Sequence, residues 1–128
     1  MLSNDKPWIL IVEDDLSSQQ FFATVLEETY NLEILPTAQA ARDVLGKRVY
    51  GMIIVDISLP GDEDGIGLLR HIRKTARITT PILIITANAQ AHSRSEAIGA
   101  GANEYFTKPI LAGTLIEALN KYKGEDHG

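Results

Sequence analysis

Residues 8–15 read Trp-Ile-Leu-Ile-Val-Glu-Asp-Asp, an apolar run that is followed at once by acidic residues. The apolar part is rich in β-branched residues and does not alternate with polar ones, which is typical of a strand buried on both faces of a parallel sheet. Two further runs have the same character: residues 52–55, which precede Asp56, and residues 82–85, which precede Thr86. The three runs predict the centre of a parallel sheet.

Two weaker runs predict the edges of that sheet, because they mix polar residues with apolar ones: residues 32–35, which Pro36 stops, and residues 104–106. Segments with helical spacing separate the strands. They cover residues 16–28, a segment between Thr37 and Gly46, residues near 66–73, residues 89–98 and residues near 111–119. This order predicts a doubly wound α/β fold: a five-stranded parallel sheet in the order 2-1-3-4-5, with helices on both faces.

No linker or change of composition interrupts the series of strands and helices. We therefore expect residues 1–128 to form a single domain, with an ordered core at about 8–122 and a polar tail at 123–128. After the fifth strand there is room for only one helix and the tail. The chain would then act alone by docking a partner, or be one piece of a larger protein.

The amino-acid composition argues against several classes of function. Among 128 residues, 12 are basic and 17 are acidic. The resulting net charge of −5 argues against non-specific binding to the phosphate backbone of nucleic acids. The absence of cysteine excludes disulfides and thiolate metal sites. Residues 1–7 are polar and lack the basic and long apolar stretches of a signal peptide, and the apolar runs are far shorter than the roughly 20 residues that span a bilayer. We expect a soluble, cytoplasmic domain with neither a nucleic-acid nor a membrane partner.

Residues that can do chemistry collect where the predicted strands end. Glu13 and Asp14 follow the first strand, Asp56 the third and Thr86 the fourth, and Lys108 lies just past the fifth. The carboxyl ends of parallel strands share one edge of the sheet. Two carboxylates ~4 Å apart at an effective dielectric of ~20 repel by roughly 4 kcal/mol, and a divalent cation relieves this. The edge therefore predicts a site for a cation and a phosphate.

Each of these residues has a plainer interpretation when it is taken alone. The acidic residues 13–15 could simply cap the first helix and oppose its dipole, and Asp15 is expected to do only that. The later residues could be caps or loop residues, and the lysine could lie in a solvated turn. The convergence of several strand ends on one edge, rather than any single residue, favours a site.

Four stretches resemble, in order and spacing, the motifs of response-regulator receiver domains. They are Ile-Leu-Ile-Val-Glu-Asp-Asp at 9–15, Val-Asp-Ile-Ser-Leu-Pro at 55–60, Ile-Ile-Thr-Ala at 84–87 and Gly-Ala-Asn-Glu-Tyr-Phe-Thr-Lys-Pro at 101–109. The resemblance runs from about Trp8 to Lys121. It implies a flavodoxin-like receiver fold and a phosphoacceptor switch of a two-component or phosphorelay system.

The resemblance implies roles for the residues at the sheet edge. Asp56 would accept a phosphoryl group from a phosphohistidine donor, and Thr86 and Lys108 would bind phosphoryl oxygens. Tyr105 would be the switch residue, turning inward when Thr86 moves toward the phosphoryl group. The Lys108–Pro109 peptide bond would be cis.

The resemblance also implies a cofactor and partners. The cation would be Mg²⁺ or Mn²⁺, and its ligands would be Asp14, Asp56, the backbone carbonyl of Ser58 and, through water, Glu13. The donor would be a histidine kinase or a histidine phosphotransfer protein. A downstream protein or an attached output domain would bind the face near Tyr105. The domain would not be a multiple-turnover enzyme, and it would be a monomer or a weak phosphorylation-dependent dimer.

The chain departs from the family pattern in the loop after Pro60. The family usually has two residues before Asp64-Gly65, the second of them apolar, whereas this chain has Gly-Asp-Glu at 61–63. The loop is therefore longer and more acidic, which leaves its conformation and any kinase contact open. We interpret the acidic residues 62–64 as a solvated turn that caps the third helix, with extra metal ligands as the alternative.

Two other patterns are ambiguous. A basic group follows the third helix, and we interpret it as a solvated helix end rather than a nucleic-acid patch; it comprises Arg70, Arg73, Lys74 and Arg77. Phe21 and Phe22 are adjacent and cannot both point to the centre of the core. One of them is expected to be partly exposed near the acidic edge, where it could contact a partner.

Other functions compete with the receiver interpretation. A phosphatase with an aspartate nucleophile would also use Mg²⁺ and a lysine, but it commonly has a second aspartate two residues beyond the nucleophile, where this chain has Ser58. A flavodoxin-like electron carrier would share the sheet order, but the acidic residues 13–15 would repel its phosphate. A degenerate receiver that never takes phosphate is the third alternative.

Overall fold

Five parallel strands form one sheet at the centre of the molecule. The structure is a computed structural model that describes residues 6–123. The strands are β1 (Trp8–Val12), β2 (Asn31–Leu35), β3 (Met52–Val55), β4 (Ile82–Thr86) and β5 (Glu104–Thr107). Their order is β2-β1-β3-β4-β5, and every neighbouring pair is parallel. The predicted sheet topology is confirmed.

Helices cover both faces of the sheet. They are α1 (Leu16–Leu26), α2 (Ala38–Val44), α3 (Gly65–Arg70), α4 (Ala91–Gly99) and α5 (Ala112–Lys123). A π-helical segment, His71–Thr75, continues α3 without a break. Lys123, which the sequence assigned to the polar tail, is the last residue of α5, and the rest of that tail lies outside the described residues. Within residues 6–123, no helix combines the length and the apolar character that crossing a membrane requires.

Alternate residues of the central strands supply two hydrophobic clusters. Leu10, Ile53 and Ile84 belong to the cluster that includes α2, α3 and α4, whereas Ile11 and Ile54 belong to the cluster that includes α1 and α5. These side chains are fully buried, and burying each one contributes about 1.5–3 kcal/mol. The two clusters explain why the apolar runs do not alternate with polar residues: both faces of each central strand are covered.

The interpretation of Arg73 as part of a solvated helix end is wrong. Its guanidinium is half-buried and donates to the carbonyls of Gly101 (3.0 Å), Ile78 (2.8 Å) and Thr80 (2.8 Å) and to Asn103 Oδ1 (3.0 Å). Burial lowers the pKa of Arg73 below its usual value. The side chain connects the end of α3 to the loops that precede β4 and β5. Its three basic neighbours in the sequence are exposed, as predicted.

Candidate functional site

The hydrogen-bonded register of the sheet continues past the strand ends and brings the predicted site residues to one edge. The Glu13 N–H donates to the last carbonyl of β2 (2.9 Å), and the Asp56 N–H donates to the last carbonyl of β1 (3.0 Å). On the other side, the Lys108 N–H donates to the carbonyl of Thr86 (2.8 Å). Backbone bonds therefore fix these residues before their side chains make any contact.

Lys108 lies between two buried carboxylates. Its Nζ is 2.6 Å from Glu13 Oε1 and 3.0 Å from Asp56 Oδ2. Glu13 is 1% exposed and Asp56 is 6% exposed. Two negative charges thus share one ammonium in a place that water reaches poorly, where electrostatic interactions are stronger than at the surface.

The second oxygen of Asp56 is held by neutral donors. Asp56 Oδ1 accepts from Thr86 Oγ1 at 2.7 Å and from the Ser58 N–H at 2.9 Å. Thr86 is fully buried. A hydroxyl, a backbone N–H and an ammonium therefore surround one carboxylate, which is the donor set that also suits the oxygens of a phosphoryl group.

The environment of the two carboxylates shifts the pKa of Glu13 and of Lys108. Burial raises the pKa of Glu13, and the hydrogen bonds from Lys108 and from the Asp15 N–H offset this only in part. Burial acts to lower the pKa of Lys108, but its hydrogen bonds to Glu13 and Asp56 outweigh burial and raise that pKa. Lys108 is therefore charged at neutral pH.

The donors at this edge suit a hard cation. Asp14 is the second residue after β1, is exposed, and makes no side-chain hydrogen bond with residues 6–123. In that part of the chain no three acidic or histidine side chains stand together as a ready metal cluster. Mg²⁺, however, typically takes one or two carboxylates and keeps several waters. Asp14 and Asp56 supply carboxylate oxygens of this kind at the edge of the sheet, and Glu13 precedes Asp14 in the chain.

Asn88 contacts both Thr86 and Tyr105 through its backbone. The Asn88 N–H donates to Thr86 Oγ1 at 3.3 Å, and the Asn88 carbonyl accepts from the Tyr105 hydroxyl at 2.6 Å. Tyr105 is buried in this arrangement. Burial, and secondarily the charge of Asp56, raise the pKa of the Tyr105 hydroxyl. A short path of hydrogen bonds thus connects Asp56 to the aromatic residue of β5.

Asp15 caps α1, as predicted. Its Oδ2 accepts from the Ser18 N–H and from Ser18 Oγ, both at 2.9 Å. These bonds lower the pKa of Asp15. We expect Asp15→Ala to lower the melting temperature by a few degrees, because an unpaired N–H is left at the helix start.

The same Asp15→Ala variant separates the roles of residues 13–15. If Asp56 accepts a phosphoryl group, as the resemblance implies, Asp15→Ala should leave the rate of that reaction with a small phosphodonor unchanged, because the Asp15 side chain serves the helix. Thermal unfolding and the phosphorylation rate are measured side by side. A large drop in the rate at unchanged stability would contradict this assignment.

The acidic loop between β3 and α3 is only partly the solvated turn that the sequence predicted. Asp64 caps α3 by accepting from the Gly67 N–H at 2.9 Å, as expected. Glu63, in contrast, accepts two hydrogen bonds from Arg42 of α2, at 2.7 and 2.5 Å. No signal in the sequence indicated this partner, because Arg42 lies 21 positions away and in helix α2.

Two more residues that shape the site gave no clear signal in the sequence. Gln19 of α1 donates from Nε2 to the carbonyl of Glu13 at 2.6 Å and so fixes the start of the acidic loop. Gly65 lies against the backbone of the phosphoacceptor candidate: a Cβ at this position would be 2.2 Å from the carbonyl oxygen of Asp56. Asp64-Gly65 ends the acidic loop in the sequence, but the steric reason for a glycine there becomes visible only in the fold.

The expected division between the two adjacent phenylalanines is confirmed. Phe22 is 1% exposed, whereas Phe21 is half-buried, and their rings meet edge to face with centroids 5.7 Å apart. Phe21 lines a groove of about 330 Å³ together with residues 17–18 of α1 and Lys108, Pro109 and Ile110. The Lys108–Pro109 bond is cis, as the resemblance implied. An apolar groove thus begins beside the lysine of the site.

The chain resembles known proteins over nearly its whole length. The family model described as "Response regulator receiver domain" matches residues 9–120. Protein PetR of Rhodobacter capsulatus is 32% identical over 121 residues, which are 94% of this chain and 50% of PetR. The chain spans about half the length of most curated relatives it matches.

Solved structures show the same fold. A CheY-like response regulator receiver domain protein from Methanospirillum hungatei JF-1 has a TM-score of 0.84 at 28% identity, covering 95% of this chain and 100% of that one. The receiver domain of a sensor histidine kinase from Pseudomonas aeruginosa PAO1 has a TM-score of 0.83 at 29% identity, covering 94% and 99%. The latter is described with a magnesium ion coordinated in its active-site cleft.

The comparisons do not support the expectation that nucleic acid is absent from the partners. Several curated relatives are named transcriptional regulatory proteins, and this chain corresponds to only part of them. The expectation therefore stays a prediction about the receiver domain by itself. The parallel sheet, the acidic edge with its lysine and threonine, and the match over residues 9–120 lead to one assignment. The chain belongs to the family of response regulator receiver domains of two-component systems.

Proposed function

We propose that this domain is a phosphoacceptor switch, which takes a phosphoryl group onto Asp56 from a histidine kinase or a histidine phosphotransfer protein. One observation carries the proposal: the Asp56 carboxylate is held between the Lys108 ammonium (3.0 Å) and the Thr86 hydroxyl (2.7 Å) at the carboxyl edge of the sheet. Ligands of open parallel sheets bind at this edge. The domain would work in the cytoplasm, as a monomer or as a weak dimer when phosphorylated.

The proposed reaction is an in-line transfer. A carboxylate oxygen of Asp56 attacks phosphorus, the P–N bond of the phosphohistidine breaks, and the electron pair leaves with the imidazole of the donor. The negative charge on the transferred oxygens is neutralised by Lys108, the Thr86 hydroxyl and the Ser58 N–H. A Mg²⁺ or Mn²⁺ ion bound by Asp14, Asp56 and the Ser58 carbonyl, with Glu13 acting through water, would supply further neutralisation.

The product would change the balance of contacts at the site. An acyl phosphate adds about 1.5–2 negative charges and new acceptor oxygens. Thr86 and Lys108 can bind these oxygens more strongly than they bind a carboxylate, and such a difference can shift a two-state equilibrium. The Asn88 backbone, bonded to both Thr86 and Tyr105, supports a path from the site to the face near Tyr105, where a downstream protein or an output domain would bind.

The groove beside Phe21 supports a docking place for the donor. It combines an apolar lining with direct access to Lys108. Leu16 is the first residue of α1, Leu111 directly precedes α5, and the two residues are 72% and 75% exposed. A donor that buried these side chains would bring its phosphohistidine close to Asp56.

Incubation with acetyl phosphate tests the proposal. We expect the intact mass to rise by one phosphate in the presence of Mg²⁺, and the increase to be lost with a chelator or in Asp56→Asn, because the amide is a poor nucleophile. Intact-protein mass spectrometry measures the change, and hydroxylamine should remove the added group because it cleaves acyl phosphates.

Two outcomes would support the competing functions. Continued hydrolysis of a phosphomonoester, with many turnovers per protein, would favour the phosphatase. A wild-type protein that gains no mass over a range of Mg²⁺ and acetyl phosphate concentrations would favour the degenerate receiver. Unchanged phosphorylation of Asp56→Asn would place the acceptor elsewhere.

A further inference from the structure

The lengthened loop between β3 and α3 is tied to α2 by one ion pair. Arg42 donates from Nε to Glu63 Oε1 at 2.7 Å and from Nη2 to Glu63 Oε2 at 2.5 Å. This two-bond arrangement fixes both the distance and the orientation of the groups. The side chains are 35% and 26% exposed, so solvent weakens the pair without removing it. The hydrogen bonds to Glu63 raise the pKa of Arg42, which keeps its charge at any ordinary pH.

Gly67 of α3 leaves the space in which Glu63 lies. A Cβ at position 67 would be 2.8 Å from Glu63 Cγ and 3.1 Å from Glu63 Oε2. Glycine inside a helix costs up to about 1 kcal/mol relative to alanine. At position 67 this cost is accompanied by a contact with Glu63 that an alanine side chain would disturb. The missing side chain and the ion pair are independent features, and both favour the same position of Glu63.

Each end of this loop makes a hydrogen bond beside the proposed phosphoacceptor. At its start, the Ser58 N–H donates to Asp56 Oδ1 at 2.9 Å. At its end, the Gly65 N–H donates to the carbonyl of Ile57 at 2.9 Å. Between them, Gly61 has a φ of +98°, which favours glycine and lets the chain turn. The middle of the loop is residues 60–63. Among these four residues, Glu63 is the only one whose side chain forms a hydrogen bond or an ion pair with any part of residues 6–123.

We propose that the Arg42–Glu63 ion pair positions Ser58 for phosphotransfer, so that Arg42 and Glu63 are positioning residues of the site. The inference rests on the proposed function, because it assigns the pair to the loop that gives Asp56 a hydrogen bond and is expected to give the cation a carbonyl ligand. Without the pair, the extra loop residue lets Ser58 sample positions in which it serves neither Asp56 nor the cation. A higher Mg²⁺ concentration is then needed to reach the same rate of phosphorylation.

The first test measures phosphorylation by acetyl phosphate as a function of Mg²⁺ concentration. In Arg42→Ala and Glu63→Ala, the rate at sub-saturating Mg²⁺ should fall about two- to fivefold, the range that partly exposed ion pairs produce, and recover at saturating Mg²⁺. The double variant should be no slower than either single one, and the charge swap Arg42→Glu with Glu63→Arg should restore most of the loss. Asp62→Ala, which removes the neighbouring charge from the same loop, is the matched control and should bind Mg²⁺ no more weakly than wild type.

Gly67→Ala separates positioning from stability. The new Cβ displaces the flexible Glu63 side chain, while the helix propensity of α3 improves. The variant should be at least as stable to urea as wild type, yet need more Mg²⁺, as Glu63→Ala does. Adding Gly67→Ala to Glu63→Ala should cause no further loss. A Gly67→Ala variant with the Mg²⁺ dependence of wild type would overturn the proposal.

Amide hydrogen exchange in the loop gives a readout that does not depend on phosphorylation. The amides of Ser58 and Leu59, which donate to Asp56 Oδ1 and to the Ile57 carbonyl, should exchange about two- to fivefold faster in Arg42→Ala, Glu63→Ala and Gly67→Ala than in wild type or Asp62→Ala. Unchanged exchange overturns the positioning role, whether or not the wild type takes phosphate. If the variants exchange faster but the wild-type protein takes no phosphate, the proposed function is overturned, while the role of the ion pair in positioning the loop is retained.

Discussion

Replacing Lys108 with methionine is expected to lower the free energy of unfolding at pH 7 by about 2–4 kcal/mol, because it leaves two buried carboxylates without their shared cation. Glu13 and Asp56 both lie within 3.0 Å of the same nitrogen, and their side chains are only 2% and 8% exposed. Methionine keeps most of the volume and the apolar stem, so the loss reports the charge rather than a cavity. Urea unfolding in the presence of a chelator measures it.

Lys121→Met is the matched control for the Lys108 variant. Lys121 is 62% exposed and lies 3.4 Å from Glu104, so removing its charge should change the stability by less than about 1 kcal/mol. Adding Mg²⁺ should recover more stability in Lys108→Met than in wild type, because the cation can then neutralise carboxylates that no ammonium serves. If Lys108→Met and wild type are equally stable in the presence of a chelator, the two carboxylates do not need the Lys108 ammonium to neutralise them, and the prediction is wrong.

Arg73→Ala is expected to lower the free energy of unfolding by about 3 kcal/mol, since three backbone carbonyls and one amide oxygen lose a charged donor. Arg73→Lys should recover less than half of this, because a single ammonium cannot match a planar group that reaches four acceptors on two loops. The acceptors precede β4 and β5, at the end of the sheet opposite the acidic edge. Phosphorylation of the folded variant should therefore remain near the wild-type rate.

Lys74→Ala is the control for Arg73→Ala. Lys74 is the next residue in the same π-helical segment, but it is exposed, so its loss should change the stability by no more than about 0.5 kcal/mol. Thermal or urea unfolding compares the two variants under one condition. Similar effects of both substitutions would mean that the hydrogen bonds of Arg73 contribute no more than an ordinary surface charge.

The fold could be predicted from the sequence because each central strand is buried on both faces. That burial leaves an uninterrupted apolar run, and three such runs, each followed by a polar residue, define both the sheet and its functional edge. Glu13, Asp56, Thr86 and Lys108 are brought to this edge as expected, since the register of a parallel sheet fixes where strand ends lie. Asp14 is the exception: the structure leaves it exposed and joined to none of the others.

Contacts between distant segments were not predictable in the same way. Arg73 looks like any other cation at a helix end until the loops before β4 and β5 are placed around it. Glu63 looks like one acidic residue in a polar turn until α2 brings Arg42 beside it. In both cases the local sequence pattern is the same for a solvated and for a bound charge, and only the packing of separate elements distinguishes them. Such residues need a fold before they can be interpreted.

The Asn88 contacts have a consequence for sequence variation. Thr86 and Tyr105 both meet the main chain of Asn88, at its N–H and its carbonyl, and not its side chain. Communication carried by peptide groups does not require any particular amino acid at that position. Substitutions of Asn88 that keep this backbone conformation should therefore preserve the hydrogen-bonded path between Thr86 and Tyr105, whichever side chain they introduce.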